Sequence, residues 1–175
     1  MRGAAVIALA LGLAACGGPA TPAAAPSNSG STAATTGGAT AVPGVSAGVL
    51  QLGMTEAAVR AALGPPEVDS DGFLQYYRAG ISVAIADGKV DALHLFRGVP
   101  GGYENEPWLE FALRLPSGLT WTATEAQVIA AMGPPSGTGD LAQAPIPSKW
   151  IDYGGVMFDF RIDDGRMFHV VISQP

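Results

Sequence analysis

The fold is decided by the segment TEAAVRAALGPP at residues 55–66, because nearly the same segment returns as TEAQVIAAMGPP at residues 124–135. The two segments align without a gap at an offset of 124 − 55 = 69 residues, and nine of the twelve positions are identical. Chance does not account for this level of identity. We therefore interpret the chain as carrying a duplicated structural unit.

Each copy has the sequence of a short helix with marked ends. Thr55 and Thr124 are suited to cap the first turn, and the glutamate after each of them complements the helix dipole. In the second copy Gln127 completes a capping box with Thr124. Gly64 and Gly133, each followed by two prolines, end the helices. Helices this short are unstable alone, so each is expected to dock on a sheet.

Segments of alternating apolar and polar residues follow each helix and predict antiparallel strands. Two of them run into the pairs Asp87-Gly88 and Asp164-Gly165, which are typical of type I′ hairpin turns. The strands on either side of these turns are predicted at residues 81–86, 89–96, 158–163 and 166–173. An earlier aromatic strand is predicted in each copy, at residues 73–77 and 150–153.

These elements predict an α+β fold of two tandem repeats. Each repeat is a short helix, or a helix pair, packed on a three- to four-stranded antiparallel meander. We place the first repeat at residues 44–100 and the second at residues 101–175. Each repeat is too small to be stable alone, so the two are expected to share an interface or a continuous sheet.

The N-terminal residues predict an exported lipoprotein. Arg2, an apolar run over residues 4–15 and small residues before Cys16 predict a signal peptide at residues 1–15, with Cys16 as the lipidated residue. The run is shorter than the roughly 20 residues that span a bilayer. Cys16 is the only cysteine, which excludes an internal disulfide. An ordinary signal peptide cut nearby is the alternative interpretation.

Residues 16–43 are composed of small and polar residues and prolines without any charge. Such a segment cannot bury enough apolar surface to offset its ordering entropy. We therefore predict a disordered tether that holds the folded body away from a membrane.

The composition excludes several function classes. The formal charge is −6 and the basic residues occur singly, which disfavours binding to nucleic acid. The chain contains no phosphate-binding loop, nucleophile elbow or cluster of Cys and His residues. We predict that the protein is not an enzyme, has no catalytic residue, binds no metal and uses no cofactor.

The two histidines, His94 and His169, do not match as a duplicated pair. By hairpin register His94 corresponds to Val171, so the histidines are not equivalent positions of the two copies. Each is expected on the solvent face of its strand, without a ligand.

Four aromatic residues are the candidate partner-binding residues: Tyr76, Tyr77, Trp150 and Tyr153. Adjacent residues of a strand point to opposite faces, so aromatic side chains are expected to face away from the helix as well as toward it. Exposed Tyr and Trp are common anchors of protein interfaces. The alternative is that these side chains cap the core or pack between the copies.

The residues also carry a resemblance. GMTE at residues 53–56, LGPP at residues 63–66, a tyrosine-containing strand and ISVAIADGKV at residues 81–90 resemble the SmpA/OmlA (BamE-like) family of outer-membrane lipoproteins. The resemblance implies helices on a three-stranded antiparallel sheet, three acyl chains on the cysteine and a role in β-barrel assembly. Members of that family usually have a single copy of the unit.

The tandem arrangement resembles that of the β-lactamase inhibitory protein, whose two halves present a sheet surface to an enzyme. That protein has disulfides, which this chain cannot form. The leading hypothesis is a membrane-anchored, non-enzymatic protein-interaction module of the cell envelope, either a scaffold or an accessory of outer-membrane assembly. The alternative is an inhibitor or immunity protein that blocks an exported enzyme through its sheet face, and a third is a small-ligand binder.

The expected location is a bacterial membrane, to which the exported chain is held by its lipid anchor. Gly17 follows Cys16 where inner-membrane lipoproteins of Gram-negative bacteria usually have Asp, which favours the periplasmic face of the outer membrane in such a cell. The expected partner is an envelope protein of unknown identity.

Overall fold

The structure, a computed structural model, describes residues 40–98, 107–112 and 114–175 of the 175-residue chain. Within these residues the chain forms two short α-helices and eleven β-strands, which build one three-stranded and one eight-stranded sheet. No helix in this part of the chain is both long enough and apolar enough to cross a membrane.

The small sheet contains β1 (Ala41–Val42), β2 (Ser46–Ala47) and β3 (Leu50–Gln51). The first copy continues with α1 (Glu56–Leu63), β4 (Val68–Ser70), β5 (Phe73–Tyr76), β6 (Ile81–Ala86) and β7 (Lys89–Phe96). The second copy contains α2 (Glu125–Met132), β8 (Gly137–Leu141), β9 (Ser148–Asp152), β10 (Val156–Arg161) and β11 (Met167–Ser173). Single turns of 3-10 helix lie at Tyr77–Ala79 and Pro116–Gly118.

The strands of both copies belong to one antiparallel sheet with the order β4-β5-β6-β7-β11-β10-β9-β8. The copies meet where β7 pairs with β11, for example Leu95 with Val170 and Leu93 with Ile172. The first strand of each copy therefore lies at an edge of the sheet and the last strand lies in its middle.

The prediction of an α+β fold built from two helix-on-meander repeats is wrong. The described chain is mostly β, because its two helices have only eight residues each and its eleven strands form a three-stranded sheet and an eight-stranded antiparallel sheet. The β7–β11 pairing satisfies the edge hydrogen bonds of both meanders and joins them in one continuous sheet over a common core, which is one of the two arrangements that the sequence left open. The three-stranded sheet was not predicted at all.

The core is a single hydrophobic cluster that joins the two copies. It contains Val59 of α1 and Val128 of α2, which are both fully buried, and it takes in apolar side chains from both sheets. Alternation along the strands places Leu74, Val83 and Leu93 on this side of the large sheet. The opposite side of the large sheet carries neither helix, and we call it the helix-free face.

The predicted helix ends are confirmed. The Thr55 hydroxyl accepts a hydrogen bond from the backbone N–H of Ala58, and Thr124 forms the complete capping box with Gln127. Gly64 and Gly133 end the helices with φ values of 84° and 87°, in the region that favours glycine.

A tyrosine hydroxyl closes the C-terminal end of each helix. Tyr76 donates a hydrogen bond to the carbonyl of Gly64 at 3.2 Å, and Tyr153 donates one to the carbonyl of Gly133 at 3.1 Å. Burial raises the pKa of both phenols, so they remain donors well above neutral pH. The duplication therefore extends from the helices into the strands.

The two predicted hairpin turns have different outcomes. Asp87 and Gly88 have φ values of 51° and 71° and join β6 to β7 as a two-residue turn, as predicted. The prediction for Asp164-Gly165 is wrong, because β10 and β11 separate after the pair Phe160–Met167 and the connection is longer. Arg161 holds this longer turn through hydrogen bonds to Asp163 of 2.8 Å and 2.5 Å.

The C-terminal end of the predicted tether belongs to the folded body. Ala41 lies in β1 with 1% of its surface exposed, and its N–H donates a hydrogen bond to the carbonyl of Arg114. Composition did not reveal this because a two-residue strand of small residues has no periodic pattern.

Candidate functional site

The helix-free face carries a buried polar cluster at the junction of the two copies. Its members are His94 on β7, His169 on β11 and Asp159 on β10. Strand register places Asp159 opposite His169 and places Val171 opposite His94. His169 and Asp159 have only 7% and 4% of their surfaces exposed.

The three side chains form a chain of hydrogen bonds. Nδ1 of His169 lies 2.7 Å from Oδ2 of Asp159, and Nε2 of His169 lies 3.2 Å from Nδ1 of His94. The imidazole rings of His94 and His169 are stacked, with an interplanar angle of 15° and ring centroids 5.3 Å apart. A carboxylate only accepts hydrogen bonds, so the hydrogen bond between His169 and Asp159 is donated by Nδ1–H of His169.

The proton between His169 and His94 can be placed once Nδ1 of His169 is assigned as a donor. When His169 is neutral, its Nε2 accepts a hydrogen bond from Nδ1–H of His94, and Nε2 of His94 keeps a lone pair. When His169 is protonated, its Nε2–H donates to His94 instead.

The environment keeps His94 neutral. The pKa of His94 is lowered from 6.5 to about 4. Burial is the main cause, and electrostatic repulsion from His169 is the second. The second oxygen of the carboxylate, Oδ1 of Asp159, is buried without a hydrogen-bond partner in the part of the chain that the structure describes. Burying an oxygen without a hydrogen bond is energetically unfavourable and rare in folded proteins, so the cluster is a candidate functional site.

Aromatic rings extend the cluster across the first copy. Phe73 meets His94 edge-on, Phe96 stacks on His169 with ring centroids 4.9 Å apart, and Trp108 stacks on Phe96 at 4.0 Å. Tyr77 meets Trp108 edge-on at 4.5 Å. The result is a continuous row of rings that follows the helix-free face toward the edge of the sheet.

No family profile and no curated protein sequence matches the chain. A solved structure of a DUF4309 family protein (YjgB) from Bacillus subtilis subsp. subtilis str. 168 is similar, with a TM-score of 0.43 and 18% sequence identity. The alignment covers 69% of this chain and 78% of that chain. A similarity of this size carries no argument about function.

The structure divides the four predicted partner-binding residues into two kinds. Tyr76 is buried and Tyr153 half-buried, and both use their hydroxyls to close helix ends. Tyr77 and Trp150 are half-buried and lie with the helix-free face. The structure does not bring these two together, because Tyr77 follows β5 and Trp150 lies on β9.

Trp150 lies flat over a neighbouring strand that has no side chain there. A Cβ atom added to Gly139 of β8 would stand 2.6 Å from the Trp150 ring. Glycine at this position therefore makes the space in which the indole rests. Trp150 also stands opposite Asp159, so it continues the row of His169 and Asp159 toward the other edge of the sheet.

The other predicted site, Cys16, lies outside the described residues. No group of three or more His, Cys, Asp or Glu side chains suited to a metal ion occurs within the described ranges.

Sequence reasoning missed the histidine–aspartate cluster. Both histidines were expected on solvent faces, whereas His169 is buried and bonded to His94 and Asp159. His94 pairs with Val171 across β7 and β11, and His169 pairs with Phe96. A carboxylate, Asp159, on a strand predicted to pair with that of His169 was the one available signal.

Proposed function

We propose that the protein is a membrane-anchored, non-enzymatic protein-interaction module of a bacterial envelope, acting as a scaffold or as an accessory of outer-membrane assembly. The observation that supports this proposal is the accessible aromatic surface of the helix-free face. Phe73 is 38% exposed, and Tyr77 and Trp150 are partly exposed. We call these three residues the aromatic surface.

The aromatic surface has the properties of a binding site for a protein. Large rings contribute apolar area at a small entropic penalty, and Trp and Tyr dominate the energy of many interfaces. Phe73 and Trp150 lie on strands of one sheet and Tyr77 lies in the 3-10 turn that follows β5, so the positions of the three rings are fixed before a partner arrives. A preorganised surface loses less entropy on binding.

Anchoring at the membrane is the second part of the proposal and has its own test. Replacing Cys16 with Ser removes the thiol that the acyl chains require. We expect the Cys16→Ser precursor to stay unprocessed by the lipoprotein peptidase and to take up no fatty-acid analogue during metabolic labelling. Labelling of the variant at the level of the natural chain would contradict the assignment of Cys16.

The interaction itself is tested by crosslinking the anchored protein in membranes and identifying what it captures. We expect Tyr77→Ala and Trp150→Ala each to weaken capture of the same partner by about 30-fold, or about 2 kcal/mol. Val49→Ala is the control, because Val49 is 47% exposed but lies between β2 and β3 of the small sheet. Thermal unfolding of each variant separates lost binding from lost stability.

The outcomes distinguish the proposal from its alternatives. Undiminished capture by both aromatic variants, with their folds intact, would contradict a role for the aromatic surface. If the captured partner is an exported enzyme whose activity falls when the natural chain is added, the protein is an inhibitor or immunity protein instead.

A further inference from the structure

The beginning of α1 is covered by the hairpin of its own copy. The N–H of Glu56 donates a hydrogen bond to the carbonyl of Gly88 at 3.0 Å. Val90 of the same hairpin donates to the carbonyl of Met54 at 2.8 Å, and its carbonyl accepts from the N–H of Gly53 at 2.8 Å. An extended stretch of chain therefore lies along the start of this helix.

The beginning of α2 lacks this cover. The duplication makes Glu125 the counterpart of Glu56 and makes Gly165 the counterpart of Gly88. Among the described residues no backbone hydrogen bond joins the β10–β11 turn to the first turn of α2. The turn is held elsewhere, because Ile162 donates to the carbonyl of Pro147 at 3.0 Å.

In the second copy an open groove separates the first turn of α2 from the β10–β11 turn, whose Asp164 and Gly165 line it. Its volume is about 770 Å³, and it lies between the first turn of α2 and the ends of β8, β9 and β10. Its apolar lining includes Phe160, Ile129 and Ile162, of which Ile162 is 52% exposed. We call it the α2 groove.

The charged side chains that line the α2 groove are two cations, Lys149 and Arg161, and three carboxylates, Glu125, Asp140 and Asp164. Lys149 is paired with Glu125 at 2.8 Å, and Arg161 is paired with Asp163. Asp140 is exposed and interacts electrostatically with Lys149, and the lining as a whole keeps an excess of one negative charge. A ligand with a basic side chain would complement this rim.

We propose that the α2 groove binds an extended segment of a partner protein that carries a basic side chain beside an apolar one. The first copy shows the kind of segment that fits, since its hairpin presents Gly88, Lys89 and Val90 to the equivalent helix. A backbone carbonyl of the partner takes the N–H of Glu125, an apolar side chain rests on Ile129 and Ile162, and the cation faces Asp140. The inference deepens the proposed function and uses none of the aromatic surface.

The probe is a cyclised peptide with residues 82–93 of this chain, which contains the Asp87–Gly88 turn and Lys89. It is titrated into the full chain labelled for amide NMR. We expect saturable shifts at Glu125, Ala126 and Ile129.

Two substitutions at one position isolate the hydrogen bond. Glu125→Pro removes the N–H at the first helical position, where proline is well tolerated, and Thr124 already has the extended backbone that proline requires. Glu125→Ala removes the carboxylate but keeps the N–H. We expect the proline variant to bind the peptide about tenfold more weakly than the alanine variant, as for loss of one hydrogen bond.

Four outcomes would overturn the proposal. They are no saturable shift at millimolar peptide, equal affinity of the two Glu125 variants, groove shifts caused by dilution alone, and binding that strengthens tenfold on deletion of residues 17–39. The third would identify a second copy of the chain as the occupant, and the fourth the chain's own N-terminal segment. None of these outcomes depends on Tyr77 or Trp150, so this proposal and the proposed function can fail separately.

Discussion

Val128→Asp is expected to unfold the protein at room temperature, and Val59→Asp is expected to do the same. Both valines are fully buried in the common core, so either aspartate would leave an unpaired carboxylate there. Such a group costs several kcal/mol, which is comparable to the whole stability of a domain of this size. Circular dichroism and urea titration measure the loss.

The matched controls are Ala130→Asp and Ala61→Asp, on the exposed sides of the same two helices. These changes lower the helix propensity and place a negative charge near the helix C-terminus, and they should reduce the free energy of unfolding by only about 1 kcal/mol. Because one core serves both copies, we expect the two valine variants to lose the entire sheet and not one half of it. A variant in which one meander unfolds and the other keeps its amide protection would contradict the common core.

The free energy of unfolding is expected to fall by about 3 kcal/mol as the pH drops from 6.5 to about 4. The pKa of His94 is lowered to about 4 in the folded protein, so between these values the unfolded chain binds the proton and the folded chain does not. The stabilisation is complete above the unfolded pKa of 6.5 and is lost as the pH falls toward the folded value. The ionisable groups nearest His94 are His169 and, through it, Asp159.

Urea titrations at a series of pH values measure this dependence, and His94→Gln is the control. Glutamine does not titrate, so the variant should show a shallower slope between pH 6.5 and 4 even if it is less stable at neutral pH. The difference between the two slopes removes the contribution of carboxylates, which titrate at the lower end of the same range. Identical slopes would show that His94 titrates normally in the folded protein.

The helix ends could be predicted because their causes are local. A capping threonine, a following glutamate and a glycine before two prolines act within a few residues, and both helices begin and end where these signals stand. The pairing of β7 with β11 has no such signal, and the sequence left open whether the copies share a continuous sheet or only an interface. It joins residues far apart in sequence, and either strand could have stayed at an edge.

The histidine–aspartate cluster forms because the register of β10 against β11 differs by one residue from the predicted register. A two-residue turn at Asp164-Gly165 pairs Asp159 with Val170, which places His169 on the other face of the sheet. The longer turn and the irregularity between Asp159 and Phe160 pair Asp159 with His169 instead. The sequence predicted a hairpin with a two-residue turn, and the register implied by that turn is wrong by one residue at Asp159.

The position of β11 also governs the order in which this protein can fold. β11 follows all the other strands in sequence but lies between β7 and β10, so the sheet cannot close until Met167–Ser173 has been made. Contacts between distant parts of a chain form slowly, and an incomplete chain has two open strand edges that invite wrong pairing. If the chain is exported as we propose, this delay keeps it unfolded while it crosses the membrane, and it makes truncation before residue 167 far more damaging than loss of either edge strand.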